Sequence, residues 1–368
     1  MGSIKGQQRW GGLLVNGGLL LLVLTWTIPT FGLFVSSFRS REAIQTSGWW
    51  NIFPHRAYET VEVINPADLG LDPTGPMVIE GVETTFEEMR ENGITTPDGT
   101  YYRWVGNRRI GRIEVQEESW TVNWDFSLAN YRQVLSGKEF VYERPDGSVQ
   151  VIPGDDFVSA FLNSLAVAVP ATVIPILVAA FAAYGFAWMR FPGRRILFIM
   201  VVALLVVPLQ IALVPILKDF RTLQINGTFL AMWLAHTGFG LPLATYLLFN
   251  YISQLPRETL ESAFIDGASH FVVFRRLILP LSVPALASFA IFQFLWVWND
   301  YLVALIFLGG NPETKVITQR LADIIGSRGN DWHLLTAGAF LTMLLPLIVF
   351  FGLQRFFVRG LLAGSVKG

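Results

Sequence analysis

Six stretches of this chain carry no Asp, Glu, Lys or Arg: Trp10–Phe38, Phe157–Met189, Ile196–Leu217, Thr222–Pro256, Leu281–Asn299 and Trp332–Gln354. A helix needs about 20 consecutive apolar residues to cross the hydrocarbon core of a bilayer. Each stretch is close to that length or above it, so the pattern predicts six spanning helices and an all-α membrane protein. A large soluble helical protein is the alternative, but it would have too little polar surface to cover six such helices. Composition agrees: 52% of the 368 residues are hydrophobic and 15% are charged, against about 25% charged in soluble domains. Trp10–Phe38 is too long for a cleaved signal and lacks a small-residue cleavage site, so it reads as a retained first helix.

The net charge of −1 hides a division. Residues 41–156 hold 10 Lys/Arg and 20 Asp/Glu, a net of −10, and the remainder holds 17 and 8, a net of +9. The chain therefore divides into 1–40 (N-terminus and first helix), 41–156 (an acidic insert) and 157–368 (a core with the other five helices). Basic residues favour the cytoplasmic side of short loops. With both termini inside, eleven lie inside (Lys5, Arg9, Arg190, Arg194, Arg195, Arg257, Arg275, Arg276, Arg355, Arg359, Lys367) and six outside (Arg39, Lys218, Arg221, Lys315, Arg320, Arg328). That bias places both termini and 257–280 in the cytoplasm and the insert outside. Within the insert, Pro97-Asp98-Gly99 reads as a turn ahead of aromatic and β-branched residues, and Pro145-Asp146-Gly147 separates two short apolar segments of 140–152, a hairpin signal. Residues 127–137 predict a short helix with Ser127 as N-cap and Gly137 as stop. Residues 54–100 are weakly patterned.

Motifs for self-contained chemistry are missing. No cysteine is present, which removes disulfides and thiolate metal sites. No phosphate-cradling Gly-x-x-x-x-Gly-Lys loop, His-Glu-x-x-His pair or Gly-x-Ser-x-Gly elbow occurs,. His55, His236, His270 and His333 are scattered, so no catalytic or metal site is predicted. Asp300 is the one charged side chain in 293–305, and an intramembrane carboxylate invites a functional reading. Asn163, Gln210, Gln293 and Asn299 must also face protein or water. These five can line a polar solute path or simply bond between helices, at about 0.6 kcal/mol each. Pro170, Pro175, Pro208, Pro215 and Pro242 interrupt the apolar runs, as in transporters whose broken helices line a cavity.

The stretch Glu261–Pro280, ESAFIDGASHFVVFRRLILP, breaks the apolar pattern with charge. As one helix it places Leu260, Ala263, Phe264, Gly267, Phe271, Phe274 and Ile278 on a single face. Gly267 permits a bend or a close backbone approach. Such a segment lies along a membrane interface or docks into a partner, and the pattern alone leaves both open.

The order Glu261-Ser262-Ala263, Gly267, Leu277-Ile278-Leu279-Pro280 resembles the Glu-Ala-Ala…Gly…Ile-x-Leu-Pro signature of permease subunits of binding-protein-dependent ABC importers. Ser262 stands at the signature's second position, where Ala is usual, and Leu277 replaces an Ile. Asp266-Gly267-Ala268, NYRQVL (130–135), FLNSLAVAV (161–169), WNDYLVAL (298–305) and FVRGLLAGSVKG (357–368) resemble the carbohydrate branch, its maltose-type second permease. The long outer segment is most similar to the α-glucoside permeases.

The resemblance implies the six-helix type I importer permease fold and a translocation path for a sugar delivered by an extracytoplasmic binding protein. It implies a bacterial inner-membrane, multi-pass chain that is not itself an enzyme and binds no cofactor, with ATP and Mg on partner subunits. The implied partners are a homologous second permease, two ATP-binding subunits, the sugar-binding protein and membrane lipid, with no nucleic acid. Residues 257–280 become a coupling segment in which Glu261, Ser262, Ala263, Asp266 and Gly267 face the ATPase and Leu279-Pro280 lead into the fifth helix. Gly364, Ser365, Val366 and Lys367 would touch the ATPase interface. The outer loop 309–332, with Asn311, Glu313, Lys315 and Gln319, would reach the binding protein. Two rivals stand beside this reading: a self-sufficient secondary transporter or channel using Asp300, and a membrane scaffold without solute flux.

Overall fold

A computed structural model describes residues 4–136, 140–143, 149–152, 157–328 and 331–363. The chain forms two compact units, one of 1–41 with 127–368 and one of Glu42–Phe126. In the first unit, α1 (Ile4–Ser37) exposes its side chains from Gly11 to Phe31, Trp26 by 79% and Leu14 by 76%. An apolar helix left this bare is stable only in lipid, where its backbone is satisfied internally.

The second unit begins within α2 (Arg41–Thr46). It contains β1 (His55–Ile64), β2 (Met77–Ile79), β3 (Val82–Thr84), α3 (Phe86–Glu91), β4 (Ile94–Thr95), β5 (Tyr101–Gly106) and β6 (Gly111–Thr121). Its main sheet is antiparallel in the order β1-β6-β5-β4, with β2-β3 as a separate hairpin. Met89, Ile113 and Trp104 form the centre of its core, with Phe86 edge-on to Trp104 at 5.3 Å. The Pro-Asp-Gly turn forms as expected: the Asp98 carboxylate accepts from the Thr96 and Thr100 hydroxyls, which hold its pKa below the usual carboxylate range, and Gly99 has φ +92°. The weak pattern of 54–100 conceals real strands. β1 is a ten-residue edge strand with most side chains exposed, so it has no buried alternate face to read.

The compact acidic unit ends at Phe126, within the 41–156 stretch. The helix expected at 127–137 is α4 (Ala129–Ser136), and it packs into the first unit. Asn130 Nδ2 donates to Ser37 O and Arg39 O at 2.9 and 2.8 Å, Tyr131 and Ser37 hydroxyls meet at 2.6 Å, and Val134 is 3% exposed. Ser127 Oγ accepts from Ala129 N at 3.0 Å, a turn that begins the helix two residues on. Gly137 lies outside the described residues. β7 (Phe140–Glu143) and β8 (Val149–Ile152) pair antiparallel as the expected hairpin.

The remaining helices are α5 (Phe157–Trp188), α6 (Arg194–Ala203), α7 (Leu209–Thr222), α8 (Phe229–Ile252), α9 (Arg257–Ile265), α10 (His270–Val273), α11 (Leu279–Leu281), α12 (Val283–Asn299), α13 (Leu302–Phe307), α14 (Ile317–Arg328) and α15 (Trp332–Ala363). A π-helical turn, Phe274–Ile278, joins α10 to α11. Small residues line the contact of α5 with α8: Ala168, Ala171, Ala179, Ala180 and Ala183 face Ala231, Ala235 and Ala244, all buried. Without a hydrophobic drive between helices in lipid, such residues let backbones approach closely.

Among the described residues, three helices (Gly11–Ser37, Phe157–Trp188, Trp332–Phe356) are long and apolar enough to cross a membrane, or up to five spans if each bent pair counts as one. The 196–217 run bends by 104° between α6 and α7, where Val207 is extended ahead of Pro208 because a residue before proline avoids the helical region. The stretch before Asn299 is a pair bent by 71°. The 222–256 run forms the 24-residue α8, which is not among these three.

Candidate functional site

The charged segment is not one helix. α9 stops at Ile265, Asp266 is its C-cap, and Gly267 turns left-handed at φ +83°. Ala268 N donates to Ala263 O at 2.9 Å and Gly267 N to Phe264 O at 3.0 Å, the paired bonds of a Schellman end with glycine at its left-handed position. Ser269 then caps α10, accepting from Val272 N. A Cβ on Gly267 would meet no atom within 4 Å. Of the two uses expected for this glycine, the bend is realised and a close approach within the chain is not.

The break also corrects the single-face pattern. Leu260, Val273, Phe274 and Ile278 are 0–2% exposed, while Phe271 is 61% and Ile265 85% exposed. Once the axis changes at Gly267, steps of three and four no longer carry across it. The buried side of this helix–turn–helix packs on the ends of α5 and α8: Phe274 stacks on Phe181 at 4.2 Å, and Tyr184 and His270 share a hydrogen bond of 2.8 Å; those two ends are themselves tied together where Trp188 Nε1 of α5 donates to Ile252 O of α8 at 3.2 Å. Its other side presents Glu261, Ser262, Asp266, Gly267 and Pro280 as exposed, with Ala263 and Leu279 half-buried. The arrangement is an open turn on a rigid footing.

The structure brings two other groups of candidates together in an unforeseen way. Asn163 Nδ2 donates to Glu313 O at 2.8 Å and Lys315 O at 3.0 Å, so it holds the 309–317 loop against α5. Ser164 Oγ accepts from Ile317 N at 2.7 Å. Gln319 closes the loop on itself, Oε1 accepting from Val316 N and Nε2 donating to Gly309 O. Asn311 Oδ1 accepts from Glu313 N at 3.1 Å, and Lys315 pairs with Asp323 at 2.7 Å. Asn163→Ala leaves two carbonyls without that donor. We expect the α5 helix to persist and the loop to loosen, read as faster amide exchange at 313–317.

The other polar candidates are dispersed. Gln293 is fully buried and donates to Ala171 O and His236 O, both at 3.2 Å. Asn299 is exposed and donates to Leu295 O in its own helix. Gln210 is exposed in the first turn of α7. Asp300 Oδ1 accepts from Val303 N at 2.9 Å, as an N-terminal cap does,, and its carbonyl accepts from Thr318 Oγ1 at 3.2 Å. An amide oxygen can make the same cap, so Asp300→Asn should keep most transport. Asp300→Ala should cost about 0.5–2 kcal/mol of local stability. A thermal unfolding series of the three proteins checks the order. Gly364, Ser365, Val366 and Lys367 lie outside the described residues.

Comparison with known proteins decides what the open turn belongs to. The family described as binding-protein-dependent transport system inner membrane component matches residues 162–362. The chain belongs to that family of ABC importer permeases. The permease is 46% identical over 360 residues to the osmoprotective compounds uptake permease protein GgtD of Synechocystis sp., covering 98% of this chain and 94% of that one. It is 46% identical over 372 residues to the alpha-glucoside transport system permease protein AglG of Rhizobium meliloti, covering 96% and 97%. Both matches take in the acidic unit as well as the helices. In fold, the permease is similar to a chain of a bacterial ABC transporter involved in the import of the acidic polysaccharide alginate, with a TM-score of 0.59 at 16% identity, over 95% of this chain and 96% of that one. The permease is thus a helical membrane protein with a type I importer domain, and the rival readings as a self-sufficient secondary transporter or a scaffold fall away.

Proposed function

We propose that this permease forms the path for an α-glucoside or oligosaccharide, delivered by an extracytoplasmic binding protein and driven by ATP hydrolysed on partner subunits. The alpha-glucoside cargo in the name of the Rhizobium meliloti relative motivates the substrate class. The assembly has this chain, a homologous permease and two ATP-binding subunits, with both termini cytoplasmic. The six spans are α1, α5, the α6–α7 pair, α8, the α10–α12 pair and α15. The Glu42–Phe126 unit and the 309–332 loop face the binding protein, and Gly364–Lys367 face the ATPase. The chain itself performs no chemistry.

The observation that carries this reading is the turn at 257–281. Its apolar side is buried in the bundle, and Glu261, Ser262, Asp266 and Gly267 stand exposed at its outer side. A segment held this firmly with its polar face free is suited to transmit a push. The test is uptake of a labelled α-glucoside into proteoliposomes holding the complete assembly. Uptake that needs both enclosed ATP and the binding protein supports the proposal. Uptake driven by an ion gradient without ATP, or ATP-driven uptake of some other solute class in preference to α-glucosides, counts against it.

A further inference from the structure

Three prolines inside long helices leave carbonyls without a donor, and each carbonyl is taken by a side chain from another helix. Proline has no N–H, so the carbonyl four residues earlier loses its intrahelical partner. Pro170 frees Ala166 O, which accepts from Trp233 Nε1 of α8 at 2.9 Å. Pro175 frees Ala171 O, which accepts from Gln293 Nε2 of α12 at 3.2 Å. Pro346 frees Thr342 O of α15, which accepts from Trp298 Nε1 of α12 at 3.0 Å.

Two of the three donors stand on α12, which follows the turn through the pair bent by 71°. Both are buried, Gln293 at 0% and Trp298 at 2% exposure. Trp298 also stacks on Phe294 at 5.7 Å. The Gln293 side chain is admitted by Gly240 of α8, where an added Cβ would come within 2.6 Å of Gln293 Oε1.

We propose that Gln293 and Trp298 are positioning residues that latch α12 to the proline breaks of α5 and α15, so that displacement of the 257–281 turn reaches both helices together. A proline break is where a helix yields most easily, and a donor held on its free carbonyl fixes the angle of that break to the position of α12. The inference rests on the ATPase-facing reading of the turn.

Its test is the number of solute molecules imported per ATP hydrolysed, measured in proteoliposomes with the complete assembly. Import coupled to ATP by the unaltered assembly checks the underlying reading first and separately. Gln293→Leu and Trp298→Phe should each lower the ratio about threefold, the factor that one average interhelical hydrogen bond supplies, without loss of assembled complex. The decisive arm restores the missing backbone donor. In a Pro175→Ala background, Gln293→Leu should have little further effect, because residue 175 now satisfies Ala171 O itself. Pro346→Ala should do the same for Trp298→Phe. Should Gln293→Leu fail to assemble, the Trp298 arm decides alone, since Phe keeps the stacking. An unchanged ratio in Trp298→Phe, or an equal fall with and without Pro346, overturns the proposal and leaves these side chains as packing only.

Discussion

Replacing Gly267 by valine is expected to abolish ATP-driven uptake while the membrane helices remain in place. The added side chain has room, since nothing lies within 4 Å of a Cβ there. The cost is in the backbone: φ of +83° is a conformation that a β-branched residue enters only at roughly 1–3 kcal/mol. The chain escapes that strain by opening the Schellman bonds of Gly267 and Ala268, which shifts Asp266 and the end of α9. Asparagine tolerates left-handed backbone better, so uptake and retention of the ATP-binding subunits should rank Gly above Asn above Val. Full uptake with Gly267→Val would mean that the turn's shape is immaterial to coupling.

The largest effect on stability is expected in the acidic unit, at Trp104. Its indole is 2% exposed, lies edge-on to Phe86 and donates to Asn107 O at 3.3 Å. Truncation of a buried Trp to Ala costs about 3–5 kcal/mol, a large part of what a domain this small can hold. Trp104→Ala should therefore make Glu42–Phe126 sensitive to protease while α5 and α8 stay protected in the membrane. If this unit contacts the binding protein, more binding protein is then needed for half-maximal uptake. Unchanged dependence with the unit cleaved would make it a spacer.

Much of this was legible because membrane helices announce themselves by length without charge. Uncharged runs marked α1, α5, α8 and α15, and the Glu261–Pro280 spacing marked the turn. Breaks were harder. The α6–α7 bend needs only Pro208 in an otherwise continuous apolar run, and periodicity cannot see an axis that changes at Gly267. The compact unit ends short of the acidic stretch because charge does not record packing: α4 is polar on average, yet Asn130 and Val134 are buried in the helical unit. The roles of Asn163, Gln293 and Trp298 were hidden because their acceptors are backbone carbonyls 150, 122 and 44 residues away. A proline four residues after a carbonyl was a readable sign that a donor was needed, but not of which side chain would supply it.

The central claim is that the exposed turn touches the ATP-binding subunit, and one crosslinking measurement tests it most directly. The chain has no cysteine, so Asp266→Cys gives this subunit a single thiol at the exposed end of α9, and Ile110→Cys gives one on the 83%-exposed Ile110 of the acidic unit. Each would carry a thiol-linked photocrosslinker in the assembled importer. The account predicts a crosslink from residue 266 to the ATP-binding subunit, altered by ATP, and none to that subunit from residue 110. A residue-266 probe that labels only lipid in an actively importing complex would contradict it.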